Sequence, residues 1–250
     1  MRKIDLNCDL GESFGPFTMG MDKDILPYIT SANIACGFHA ADPMVMAATV
    51  EAAEKQQVAL GAHPGLPDLM GFGRRNMTVT EAEAKNYVKY QIGALQSFSK
   101  TGILHHVKPH GALYNMAAGD YNLARGICEG IREVDPRLIL YGLANSQLIK
   151  AAQDVGLSYA QEVFADRNYE EDGTLVPRSH PDALILDEEL AVDRVIQMVE
   201  EGRVKSVTGK WITLEPDTIC VHGDNPKAVQ FAGKIHNALK ERGIDVSAAI

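Results

Sequence analysis

The sequence contains no run of about 18 apolar residues, which excludes an ordinary membrane-spanning helix. Its start, "MRKIDLNCDLGES", has two basic residues but no apolar stretch after them, so it does not read as a secretory signal. These two absences set the expectation of a cytoplasmic protein. Clustered basic residues are also missing. Lys and Arg number 24 against 33 Asp and Glu, a net charge of −9, and the pair Arg74-Arg75 is too little to neutralise a phosphate backbone. The four cysteines, Cys8, Cys36, Cys128 and Cys220, form no CxxC pair, so zinc-thiolate and disulfide frameworks lack their spacing. Buried, reduced thiols are expected instead. Neither GxGxxG nor a GxxxxGK[ST] loop occurs after the first strand-like run, where "DLGESFGP" stands.

What is present is alternation. In "IDLNCDLGE" the residues Ile4, Leu6, Cys8 and Leu10 are apolar, while Asp5, Asn7 and Asp9 are polar. Period two indicates a β-strand, and an internal strand would carry two acids and an amide into the centre of the protein. Further strand-like runs fall at 31–36, 58–62, 104–108, 138–142, 158–162 and 218–221. Amphipathic stretches at 43–56, 121–134, 146–155, 187–201 and 226–242 alternate with them, as does "TEAEAKNYVKYQIGALQSF". Asp42 before Pro43 marks one helix start, and Thr80-x-x-Glu83 is a capping box. Strands followed by helices imply a parallel sheet. An open doubly wound sheet remains an alternative, but a closed (β/α) barrel of about seven strands explains more, because chemical residues gather at the ends of many strands. The chain reads as one domain, 1–250, with the long irregular stretch 166–185 as a possible lid.

Asp9 and Glu12 follow the first strand, His39 and Asp42 the second, His63 the third. Lys108 and His110 follow the fourth, Glu162, Asp166 and Arg167 the sixth, His222 and Asp224 the seventh. Small residues at Ala35, Gly37, Ala59 and Gly61 share the parity of His39 and His63 and would leave space inside. A single strand histidine is usually a satisfied core residue; five of them, His39, His63, His106, His110 and His222, near the ends of one sheet point to function. Asp9, His39 and His63 suit a divalent transition metal. The same groups also suit metal-free acid–base work, with Asp9 as base or anchor. Lys108 would face the acids of strand 1, either as a buried ion pair or as an oxyanion or phosphate clamp. Arg74 and Arg75 in "GFGRRN" would grip a carboxylate or phosphate, or sit solvated in a loop. Asp166 would pair with Arg167.

The segments "DLNCDLGESFGP", "SANIACGFHAADP", "GAHPGLPD", "GFGRRNM", "VKPHGALYN", "EVFADRNY", "DGTLVPR" and "VHGDNP" together resemble the LamB/YcsF lactam-utilisation family, the A subunits of bacterial 5-oxoprolinases. Two positions depart from the family pattern: Ala41 and Asp182 stand where it has glycine. The resemblance implies a seven-stranded β/α barrel similar to the polysaccharide-deacetylase-like barrels. It implies hydrolysis of 5-oxo-L-proline to L-glutamate, with ATP (accompanied by Mg²⁺) converted to ADP and phosphate, and partner subunits B and C. By the same resemblance Asp9, His39, His63, Lys108 and His110 are the catalytic candidates. Asn7, Glu12, Arg74, Arg75, Glu162, Arg167, His222 and Asp224 are the substrate-binding candidates, and Asp9, His39 and His63 a possible metal set. Two rival readings are a stand-alone metal-dependent deacetylase or amidohydrolase, and a non-catalytic binding or scaffolding subunit.

Overall fold

A computed structural model describes residues 2–249. Among them the strands are β1 (Lys3–Leu10), β2 (Ser31–Ala35), β3 (Ala59–His63), β4 (His106–Val107), β5 (Ile139–Leu143), β6 (Tyr159–Phe164), β7 (Arg203–Lys205), β8 (Trp211–Thr213), β9 (Thr218–Val221) and β10 (Asp245–Val246). The helices are α1 (Asp22–Ile25), α2 (Pro43–Lys55), α3 (Glu81–Gln96), α4 (Gly111–Gly119), α5 (Tyr121–Val134), α6 (Gln147–Val155), α7 (Glu188–Glu201) and α8 (Pro226–Glu241). Strands β1 to β6 pair in sequence order, all parallel, and β9 joins β6 to β1. The sheet is therefore closed, a seven-stranded barrel without a free edge. No helix of the described residues is long and apolar enough to cross a membrane.

Local chemistry explains the helix starts. Asp42 accepts from the main-chain N–H groups of Met44 and Val45, and Thr80 and Glu83 form the reciprocal capping box. Asp120, Asp187 and Asn225 cap α5, α7 and α8 in the same way. Apolar residues of the strands and of the inner helix faces form one large core, with a small separate cluster of Ile139, Tyr141 and Ala160, and all four cysteines are free and buried within the fold.

The barrel interior is polar where β1 predicts it to be. Asp5, Asn7, Asn33, His106 and Glu162 are fully buried. Asp5 is held by hydroxyl donors: Thr30 and Thr218 at 2.5 Å and Ser31 at 2.8 Å. Burial pushes its carboxyl above the usual range, against those hydrogen bonds. The space expected beside Gly61 is filled. A Cβ there would lie 2.0 Å from the His106 imidazole. His106 stacks on Tyr141 with centroids 4.1 Å apart, and its Nε2 lies 2.7 Å from Asn33 Oδ1. His106 is thus a core residue that occupies the room glycine leaves.

The elements not anticipated include α1, α4, β7, β8 and β10. Helix α4 begins inside "PHGALYN", which reads as a turn. The antiparallel pair β7–β8 consists of two three-residue strands, too short for a periodic signal, and Arg203 and Lys205 lie over its Trp211 ring. Strand β4 has only two residues because the chain leaves the ladder on either side of His106–Val107.

Ala41 is fully buried at φ +70°, in the left-handed region where a Cβ costs about 1–2 kcal/mol. Asp182 has an ordinary φ of −90° and carries no such penalty. Ala41→Gly is expected to raise stability by about 0.5–1 kcal/mol, the relief of strain partly offset by the freer unfolded chain. Chemical denaturation checks this, and a destabilised variant would refute the strain assignment.

Candidate active site

The C-terminal ends of the barrel strands open into a cavity of about 460 Å³. Its floor is organised by Lys108, which follows β4 and is 3% exposed. The ammonium lies 2.9 Å from Asp9 Oδ1, 2.8 Å from Glu162 Oε1 and 3.1 Å from Asn7 Oδ1. Burial alone would push its pKa down, but Asp9, the Cys220 sulfur and Glu162 carry it well above the usual lysine value. Glu162 also accepts from Asn7 at 3.0 Å and from the Tyr114 hydroxyl at 2.6 Å. Asn33 donates to both Asn7 and Asp9. Lys108 is therefore a paired cation, and its partner is Asp9 rather than Asp5.

Beside this floor stands a bank of imidazoles. Glu12, His39, His63 and His110 each offer one atom to a group lying within 4.8 Å. His63 Nδ1 is 2.7 Å from the Lys108 carbonyl, and His110 Nε2 is 2.9 Å from the Phe72 carbonyl. A carbonyl only accepts, so those two nitrogens carry the hydrogens. His63 Nε2 and His110 Nδ1 then face each other across 3.0 Å. Two bare lone pairs at that distance repel, so a proton or a metal ion belongs between them. Carboxylates surround the point: Glu12 Oε1 is 3.2 Å from His110 Nδ1, and Asp9 Oδ2 is 3.3 Å from His63 Nε2. Burial opposes charge on His63, yet Asp9 and Glu12 raise its pKa. Burial lowers His110, and lowers His39 to about 3. Burial would raise Asp9 and Glu12, but His63 and Lys108 hold Asp9 well below the usual carboxylate range, and the imidazoles of His110 and His39 do the same for Glu12.

The site residues expected from sequence divide by position. Asp9, Glu12, His63, Arg74, Lys108, His110, Arg167, His222 and Asp224 line the cavity. Asn7 and Glu162 lie beneath its floor, fully buried. His39 is also fully buried and stacks behind His110, with ring centroids 3.6 Å apart. Its Nε2 meets Glu12 at 3.0 Å, while its Nδ1 has no partner. Arg75 does not reach the cavity, because Asp68 in the same loop binds its guanidinium. Arg167 spends its donors on the main chain, at 2.6 Å from the Val176 carbonyl and 3.4 Å from that of Ala183. It braces the segment 166–185, which supplies Thr174, Leu175, Pro177 and Arg178 to the cavity wall. Asp166 pairs with His222 at 2.9 Å and not with Arg167. Sequence reasoning missed Tyr114 and Asn115, which belong to the unanticipated α4, and also Asn76 and Arg178. Arg178 stood in a quoted motif, "DGTLVPR", but no local pattern distinguishes it from a solvated arginine. Neither Arg74 nor Arg178 has a carboxylate within ion-pair distance among the described residues.

Lys108→Met leaves Glu162 buried without its cation, and breaking such a pair costs about 3–5 kcal/mol. The expected outcome is a loss of that size in urea denaturation. A variant within about 1 kcal/mol of the parent would show that the ammonium is not what neutralises the floor.

The sequence profile of the LamB/YcsF family matches residues 4–250. A protein of Bacillus subtilis (strain 168), named as the A subunit of 5-oxoprolinase, is 59% identical, over 99% of this chain and 97% of its own length. One of the same name from Tolumonas auensis is 58% identical, over 99% of this chain and all of its own. In three dimensions the chain matches the crystal structure of the lactam utilization protein from Thermus thermophilus, with a TM-score of 0.92, 44% identity, and coverage of 98% of this chain and 99% of that one. Profile, relatives and fold agree along the whole length, and the chain belongs to the LamB/YcsF family.

Proposed function

We propose that this chain is the A subunit of an ATP-dependent 5-oxoprolinase, which hydrolyses 5-oxo-L-proline to L-glutamate as ATP becomes ADP and phosphate. The observation that carries the reading is 59% identity, end to end, with a protein named for that role. That name is the name of one part of an assembly, so it extends the reading to partner subunits B and C and leaves the ATP site to the assembled complex. The cavity suits the chemistry. A five-membered lactam is an unstrained amide, so its carbonyl carbon is poorly electrophilic. Phosphorylation of the amide oxygen turns that oxygen into a leaving group, after which water adds and the ring opens. Arg74 and Arg178, free of carboxylate partners, suit the substrate carboxylate or a phosphoryl group. Asp9 with His63 is placed to take a proton from water. Lys108 supplies positive charge beneath the carbonyl.

The imidazole bank is the one observation that favours the second reading, a metal-dependent amidohydrolase acting alone. Its donors fit a divalent cation in part. A metal-bound histidine normally gives its other N–H to an acceptor, as His63 and His110 do. His39 does not, since its Nδ1 is unpartnered. His63, His110 and Glu12, with Asp9 at the edge, would hold such an ion, and the sequence-based set of Asp9, His39 and His63 fits less well. A bound divalent ion would polarise a carbonyl and acidify water.

In the complex assembled with its partner subunits, glutamate formation is expected to require ATP, and His63→Ala to lower kcat/KM at least 100-fold. Full activity of that variant would remove the site from the reaction. Turnover of an N-acyl substrate by the isolated chain, without ATP and with a stoichiometric metal, would replace the first reading with the second.

A further inference from the structure

A second carboxylate–imidazole pair stands at the ends of two other strands, with its imidazole on the wall of the same cavity. His222 follows β9 and Asp166 follows β6, and those two strands are hydrogen-bonded neighbours. His222 Nδ1 is 2.9 Å from Asp166 Oδ2. No other carboxylate lies within 4 Å of His222 among the described residues, and its ring lines the cavity. The other nitrogen, Nε2, has no protein partner among the described residues and is free to meet a ligand. The two strand ends thus hold one imidazole nitrogen with a carboxylate and present the other to the substrate space.

We infer that His222, positioned by Asp166, is the general acid that protonates the departing ring nitrogen of the lactam. The inference rests on the functional reading above. In the O-phosphorylated substrate the carbonyl carbon is doubly bonded to the ring nitrogen, and one water adds across that bond. The adduct carries a hydroxyl, a phosphoryl oxygen and the ring N–H on one carbon. Productive collapse breaks the carbon–nitrogen bond. The hydroxyl gives its proton to a base and re-forms the carbonyl, the bonding pair goes to nitrogen, and nitrogen takes the His222 Nε2 proton. The products are an acyl phosphate and a primary amine, and a second water then releases phosphate. Phosphate is by far the better leaving group unless nitrogen is protonated. Without the acid the adduct expels phosphate, the lactam returns, and ATP is spent without ring opening. A base at Asp9 and His63 and a separate acid at His222, all lining one cavity, fit this requirement.

The charge of His222 answers to its surroundings. Burial works against the imidazolium, but Asp166, Asp9 and Asp224 raise its pKa, while Arg178 lies near Asp166. As an acid it must be protonated, so activity falls as pH rises through its pKa. Removing the Asp166 charge lowers that pKa and moves the alkaline limb to lower pH.

The test uses the complex assembled with its partners, 5-oxoproline and ATP, with ADP and glutamate measured together. His222→Gln is expected to reduce glutamate formation at least 100-fold, the range of general-acid contributions, while ADP formed per glutamate rises from one to ten or more. Asp166→Asn keeps the imidazole and is expected to shift the alkaline limb of glutamate formation to lower pH. A His222→Gln complex still coupled one to one, whether fast or slow, overturns the proposal, as does an Asp166→Asn profile with an unmoved limb. A wild-type complex that spends no ATP on 5-oxoproline overturns the functional reading and the proposal with it.

Discussion

The interior of this barrel depends on one buried ammonium. Lys108 Nζ reaches Asp9 on β1 and Glu162 on β6, so a residue beyond a two-residue strand ties together elements far apart in sequence. An unpaired charge at such depth costs several kcal/mol, which makes the three groups stable only as a set. The same residue acts a second time through its main chain. Its carbonyl accepts the His63 Nδ1 hydrogen and so leaves Nε2 to face His110, Asp9 and Glu12. Floor charge and histidine tautomer are therefore set by one position. The Tyr114 hydroxyl on Glu162 extends the set to α4, so the helix that follows β4 is registered against the floor it overlies.

Much of this was legible in the sequence, because strand periodicity and helix caps are local. The alternation of Ile4 to Leu10, the Asp42 cap and the Thr80–Glu83 box all appear in the fold as they read in the chain. The clustering of acids, histidines and Lys108 at strand ends was legible too, and with it the barrel. What escaped depends on contacts that local sequence does not encode. Helix α4 starts at Gly111, in a segment that resembles a turn. Gly61 suggested open space, but the His106 ring from the next strand fills it. Arg75 and Arg167 have the same chemistry as Arg74. Only the fold shows that Asp68 holds the first, that main-chain carbonyls hold the second, and that Arg74 faces the cavity. Asp166 stands beside Arg167 in sequence, yet strand pairing brings it to His222.

The histidines around the cavity fall into two electrical classes, and burial alone does not sort them, since all are withdrawn from water. Burial pushes His39 and His110 down. His63 and His222 are pushed up, and each has a carboxylate at about 3 Å, Asp9 (shared with Lys108) for one and Asp166 for the other. Environments that drive like groups apart are the usual mark of divided acid–base labour. The two raised imidazoles stand at the ends of different strands, β3 and β9, and both line the cavity. Asp9 serves both His63 and Lys108, Glu162 serves Lys108, and Asp166 serves His222, so each of these basic groups meets a carboxylate. Arg74 and Arg178 toward the wall have no such offset. The cavity thus joins a floor whose basic groups all meet carboxylates to a wall whose two arginines meet none.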